Sequence, residues 1–97
     1  MAAYVFARMA ISDQLKFNEY AALARDSVMS FSGTLITGAQ TRREILEGES
    51  GAAHIAMARF PSFEQALAWY RSPEYTVIRK MRDACASGSV VLVEGLD

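Results

Sequence analysis

The 97 residues predict an α+β fold of the ferredoxin-like βαββαβ kind, with a four-stranded antiparallel sheet that pairs with a second copy of itself. Three observations predict it. Four β-favouring segments and two segments of helical periodicity follow one another in the order β-α-β-β-α-β. In the first strand Ala3, Val5, Ala7 and Met9 alternate with Tyr4, Phe6 and Arg8, and in the third Ala56 and Ala58 alternate with Ile55, Met57 and Arg59. Small side chains suit close contact with two helices, which leaves the bulkier face uncovered, where a solvated sheet would carry polar residues. Finally, the apolar fraction of 52 % is generous for a chain whose own core must be small. Pairing by a two-fold axis, the commonest arrangement, would cover the remaining face.

The elements follow in order. Ala3 to Ile11 is a run of apolar and β-favouring residues and reads as the first strand. Ser12-Asp13 offers a short side-chain oxygen to cap a helix that runs to about Met29. Phe17, Tyr20, Ala21, Ala24, Val28 and Phe31 form its apolar stripe, and Gly33 ends the unit. Thr34 to Thr37 is a short β-branched strand with a bend expected at Gly38, continued by the extended, charged edge piece Arg42 to Glu47. Gly48 and Gly51 bracket a turn before the third strand, His54 to Phe60. Ser62 and Gln65 have the spacing of a capping box, followed by Phe63, Ala66, Leu67 and Tyr70 on one side of a helix. Ser72-Pro73 interrupts and restarts that helix, because proline disfavours helix before it but suits a first turn. Tyr75, Ile78, Met81 and Cys85 lie on one side of the second half, expected to reach about Ala86 and to stop at Gly88 before the last strand, Val90 to Glu94.

Residues 1–97 make a single domain without repeats or long linkers. A net charge of −1 with dispersed Lys and Arg gives no nucleic-acid footprint and no polybasic membrane patch. The lone Cys85 cannot form an internal disulfide, which fits a reducing, cytoplasmic setting. No apolar run approaches the ~20 residues that span a bilayer, and no signal peptide is expected.

His54, the single histidine, is a candidate proton shuttle, set against a plain surface position after the Gly51 turn. Arg8 and Arg59 on the bulkier strand faces are candidates for anion recognition, set against an ion pair across a dimer interface, for instance with Glu94. Trp69, Tyr70 and Tyr75 around the Ser72-Pro73 break could line an aromatic pocket, and are also ordinary helix-to-sheet core. Tyr20 adds a further flat wall and hydroxyl. Glu74 suits the first turn after Pro73, and Arg79 is placed to pair with Glu74 or Tyr75. One His and one Cys make no usual metal set, and no phosphate-binding glycine loop occurs, so neither metal nor cofactor is expected. The third strand, HIAMARF, lacks the aromatic pattern of RNA-binding domains that share this strand order.

The segment FPSFEQALAWYRSPEY, residues 60–75, resembles the bacterial family catalogued as domain of unknown function 1330. The resemblance rests on Phe60, Pro61, Ser62, Ala66, Trp69, Tyr70, Ser72, Glu74 and Tyr75. Ala7-Arg8, Tyr20, Gly33, Leu46-Glu47-Gly48 and Val93-Glu94-Gly95 extend it over nearly the whole chain. Arg59 departs from the acidic residue often seen before F-P-S, and Ala39-Gln40 stands where a second glycine is often seen. The resemblance implies a dimeric α/β barrel, in which two sheets face each other, and brings no established activity.

The expected function is a homodimeric barrel that binds or transforms a small acidic or carbonyl-bearing molecule without a metal. The candidate ligand residues are Arg8, Tyr20, His54, Arg59, Trp69 and Tyr70. The alternative is a non-enzymatic dimerisation or regulatory module. A packed interior favours the module; an open cavity of roughly 300 Å³ or more with converging polar groups favours a ligand.

Overall fold

A computed structural model describes residues 1–38, 41–48 and 54–97. Its elements are β1 (Ala3–Ile11), α1 (Gln14–Ser30), β2 (Thr34–Leu35), β3 (His54–Phe60), α2 (Phe63–Arg71), α3 (Pro73–Asp83) and β4 (Ala86–Glu94). The four strands form one antiparallel sheet in the order β2-β3-β1-β4, the ferredoxin-like arrangement.

The register explains the division of the sheet into two faces. β1 lies in the centre and aligns Val5 with Ala58 and Leu92, and Phe6 with Met57 and Val91. Ala3, Val5, Met9, Ala58 and Phe60 are buried on the face that the helices cover. On the other face Tyr4, Phe6, Ile55 and Met57 are only half-buried, and Val91 and Val93 are 49 % and 53 % exposed. Alternation along each strand thus produced one covered apolar face and one that is apolar and uncovered.

Three short polar residues set the helix starts. Asp13 accepts from the Lys16 amide, Ser62 from the Gln65 amide and Ser72 from the Tyr75 amide, each with extended backbone at the cap. Ser72 has two roles, since its hydroxyl also donates to the Trp69 carbonyl at the end of α2. It is buried and joins two helices, so Ser72→Ala is expected to cost ~2 kcal/mol, the upper end for loss of a cap. A denaturant melt checks this; an unchanged midpoint would contradict the dual role. The Gln65 side chain does not close a capping box. Its amide donates to the Phe31 carbonyl, tying α2 to the end of α1.

Several boundaries differ from expectation. β2 spans Thr34–Leu35, two residues instead of four, and residues 42–47 form no strand and are exposed. Gly38 has no left-handed backbone; its amide donates to the Thr41 hydroxyl, and among the described residues Gly48 is the glycine that adopts a positive φ, of 80°. The expected features at Ala39-Gln40 and Gly51 lie outside the described residues. α3 ends at Asp83, not near Ala86, and β4 begins at Ala86, not Val90. Gly88 is therefore a strand residue opposite Met9, where a Cβ would collide with the Arg8 carbonyl oxygen. Strand pairing, which continues to Ile11 on β1, outweighs the local propensity of Ala-Ser-Gly-Ser.

Candidate functional site

α1 and α3 lie side by side on the covered face, and each sends a phenol into the space between them. The Tyr20 and Tyr75 hydroxyls are 2.7 Å apart and share one hydrogen bond. Either phenol can be its donor, so one hydroxyl proton of the pair remains for another acceptor. Burial, then the neighbouring Tyr20, pushes the Tyr75 pKa far above its usual value; Arg82 opposes this and does not prevail. Tyr75 is accordingly a neutral donor at any working pH.

Arg82 stands beside this pair. Residues 75, 78 and 82 are at steps of three and four, so the guanidinium occupies a position of the α3 stripe that otherwise carries Tyr75 and Ile78. Its side chain is 12 % exposed. Nη2 donates to the Asp83 carboxylate at 3.2 Å, whereas Nη1 is buried and has no hydrogen-bond partner among the described residues. Burial disfavours the cation, but the Tyr75 and Tyr20 oxygens and the Asp83 carboxylate outweigh it and raise the Arg82 pKa. A buried charged donor left without an acceptor is costly, so such groups call for a physical explanation.

The phenols and Arg82 border a cavity of about 100 Å³ between the helices and the sheet. Val5, Met9, Phe17, Val28 and Ala58 supply much of its apolar wall, and Ala21, Arg25 and Leu35 its exposed rim. Trp69 also lines it, with its own polar atom already used: Nε1 donates to the Ser27 hydroxyl at 3.0 Å. His54 closes one end, its ring edge-on to Phe17 at 4.9 Å between centroids. Burial, then the Arg43 charge, lowers the His54 pKa, which keeps the imidazole neutral at pH 7. His54 also borders an outer hollow of about 640 Å³ beside Gln14, Asn18, Arg42 and Arg43. Whereas the outer hollow exceeds the roughly 300 Å³ expected to favour a ligand, the inner cavity is well below it. It is comparable with cavities of ~150 Å³ that admit benzene.

The sheet divides the six residues singled out from the sequence. Tyr20, His54 and Trp69 come together around the cavity. Arg8 and Arg59 are exposed on β1 and β3, on the opposite face with Tyr4 and Ile55. Tyr70 packs against Trp69 and Tyr75, and its hydroxyl accepts from Arg79 Nη1 at 2.7 Å rather than facing the cavity. Arg79 also lies over the Tyr70 ring, 5.0 Å from its centroid, so its partner is Tyr70 and not Glu74 or Tyr75. Arg82 was the residue missed, whereas Tyr75 had been weighed for the aromatic pocket and left out of the six. The available signal was a charged residue at a stripe position, one helical turn beyond Ile78.

A family model described as a domain of unknown function (DUF1330) matches residues 2–96, nearly the whole of this βαββαβ unit. The chain belongs to the DUF1330 family. Comparison with curated proteins gives no match. Among solved structures, a protein of unknown function from Rhodopseudomonas palustris superposes with a TM-score of 0.77 at 13 % identity, over 99 % of this chain and 83 % of that one. Rv0793 from Mycobacterium tuberculosis gives 0.59 at 17 % identity, over 100 % and 97 % of the two chains. A provisionally named antibiotic biosynthesis monooxygenase from Nitrosomonas europaea gives 0.53 at 15 % identity, over 97 % and 90 %. At these identities the likeness is one of fold. Among the described residues of this DUF1330 chain no helix is long and apolar enough to cross a membrane. No group of three or more metal-binding side chains occurs among them either.

Proposed function

We propose that this DUF1330 protein is a homodimer, each protomer of which binds a small carboxylate- or carbonyl-bearing molecule, without a metal, between its helices and its sheet. The observation that carries the ligand is Arg82 Nη1, a buried cationic donor with no acceptor among the described residues. The spare proton of the Tyr20–Tyr75 pair offers a second donor to the same cavity. A turn of the Arg82 side chain that brings the enclosed Nη1 to the cavity lets a carboxylate or carbonyl oxygen satisfy both, and charge-assisted hydrogen bonds of this kind are the stronger ones. The apolar remainder of the cavity suits a short hydrocarbon body. NMR titration of the protein with small carboxylates and with cationic analogues tests the reading. Shifts centred on Tyr20, Tyr75 and Arg82, with a preference for the carboxylates, are expected. Perturbation confined to the opposite sheet face would count against it.

The uncovered sheet face supports the dimer. Tyr4, Phe6, Ile55, Met57, Val91 and Val93 form a contiguous apolar surface of four strands' width with Ile36, which is 45 % exposed. Contiguous apolar surface beyond a few hundred Å² marks an interaction site. A two-fold pairing presents the same patch on both sides, and Arg8, Arg59 and Asp97 around it supply both signs of charge. Asp97 is held there by the Tyr4 hydroxyl, which donates to its carboxylate at 2.7 Å. Light scattering is expected to give twice the chain mass, and Phe6→Asp is expected to shift it to one. A wild-type monomer at micromolar concentration would rule out the pairing and leave the helix-side cavity as a separate question. A dimer with no ligand response would favour a dimerisation module. The buried free thiol of Cys85 fits a reducing, cytoplasmic setting.

A further inference from the structure

Arg82 borders a second cavity as well as the first. Where α3 ends and β4 begins, a hollow of about 310 Å³ is bounded by Met9, Arg82, Asp83, Ala86, Ser87 and Gly88. Met9 and Arg82 are the two residues this outer chamber shares with the inner cavity. Each therefore has atoms on both hollows. One is a methionine, whose unbranched chain changes shape at little cost. The other holds Nη1, which has no partner among the described residues. The chambers differ in chemistry. The inner one is walled by Phe17, Val28 and Trp69, whereas the outer one carries the Asp83 carboxylate, which is 60 % exposed and spends one oxygen on Arg82.

We propose that the two chambers are the halves of one elongated site, and that it takes an acyl compound with an internal carbonyl. The short apolar acyl end fills the inner chamber, the carbonyl oxygen accepts from Arg82 Nη1, and a hydrogen-donating tail lies beside Asp83. This rests on the small-molecule reading above and adds the shape and polarity of the ligand. The inner chamber holds only about four non-hydrogen atoms, scaled from the ~150 Å³ that admits benzene. A ligand confined to it would leave Asp83 and the larger chamber without a role. Extension past Met9 uses both. The tail is a hydroxyl or an ammonium and not a second carboxylate, because a like charge against Asp83 is repelled whereas a donor gains a charge-assisted hydrogen bond.

The test is calorimetric titration of the full chain with three probes: butyrate, N-butyrylglycine, and the butyramide of ethylenediamine. The aminoethyl amide is expected to bind about tenfold more tightly than N-butyrylglycine, a difference that corresponds to a single favourable charged contact. Asp83→Asn is expected to remove most of that preference. Ala86→Leu, which fills the outer chamber, is expected to weaken the amide about tenfold and to leave butyrate unchanged. Thermal melts establish that Ala86→Leu folds; should it not, the exposed Asp83→Asn change carries the test. Butyrate binding with no preference between the two longer probes, or a preference that survives Asp83→Asn, overturns the two-chamber site and leaves the single-cavity reading standing. Absence of binding by all three overturns both.

Discussion

Trp69→Ala is expected to lower stability by about 3–5 kcal/mol, the range for removing a large aromatic side chain from a core. Trp69 is 4 % exposed and its ring centroid is 4.2 Å from that of Tyr75 and 5.3 Å from that of Phe60. Its Nε1 donates to the Ser27 hydroxyl, which in turn donates to the Ala24 carbonyl at 2.7 Å. Ser27 is fully buried, so truncation leaves a hydroxyl oxygen without its donor as well as a void beneath α1. For a domain of this size the loss corresponds to a fall of more than about 12 °C in Tm. It approaches the whole stability of many small domains. Trp69→Phe keeps most of the ring and is expected to cost only ~1–3 kcal/mol, chiefly the unmet Ser27 hydrogen bond. Urea melts of the two variants check both values. A Trp69→Ala protein that melts within a few degrees of wild type would show that the residue is not central to the core.

Arg82→Met is expected to move stability and binding in opposite directions. Apolar side chains of similar volume that replace buried ion pairs are often neutral or stabilising by about 1–4 kcal/mol. Arg82 meets the conditions for this. Nη1 has no partner among the described residues, and the lost partner of Nη2, Asp83, is 60 % exposed and returns to water. The variant should therefore melt no lower than wild type. Carboxylate affinity should fall ten- to a hundredfold, the equivalent of about 1.5–3 kcal/mol for a hydrogen bond to a charged group. A purely structural arginine would give the reverse, a lower melt and unchanged titrations. The expected trade between stability and binding is the usual mark of a group retained for function.

Sequence alone determined the local features of this protein. β1 and β3 begin and end where alternation placed them, and Asp13, Ser62 and Ser72 cap the helices they precede. Alternation and capping depend on residues a few positions apart, so a linear pattern records them. The same alternation set Ala56 and Ala58 against Arg59, and therefore already placed His54 on the face away from Arg59. Tertiary structure decided the rest. Met9 and Ile11 hold Gly88 and Ala86 in the sheet where local propensity ended a helix. Residues 42–47 are left out of it, because extended, charged sequence does not create a pairing partner. The candidate site belongs to this second class. Tyr20 meets Tyr75 across 55 residues of sequence and Ser27 meets Trp69 across 42. Periodicity gives the face of a helix that is buried; which side chains from the next helix meet it depends on how the two pack. Arg82 became visible only there, as a charge on a stripe, with one nitrogen that finds no acceptor among the described residues.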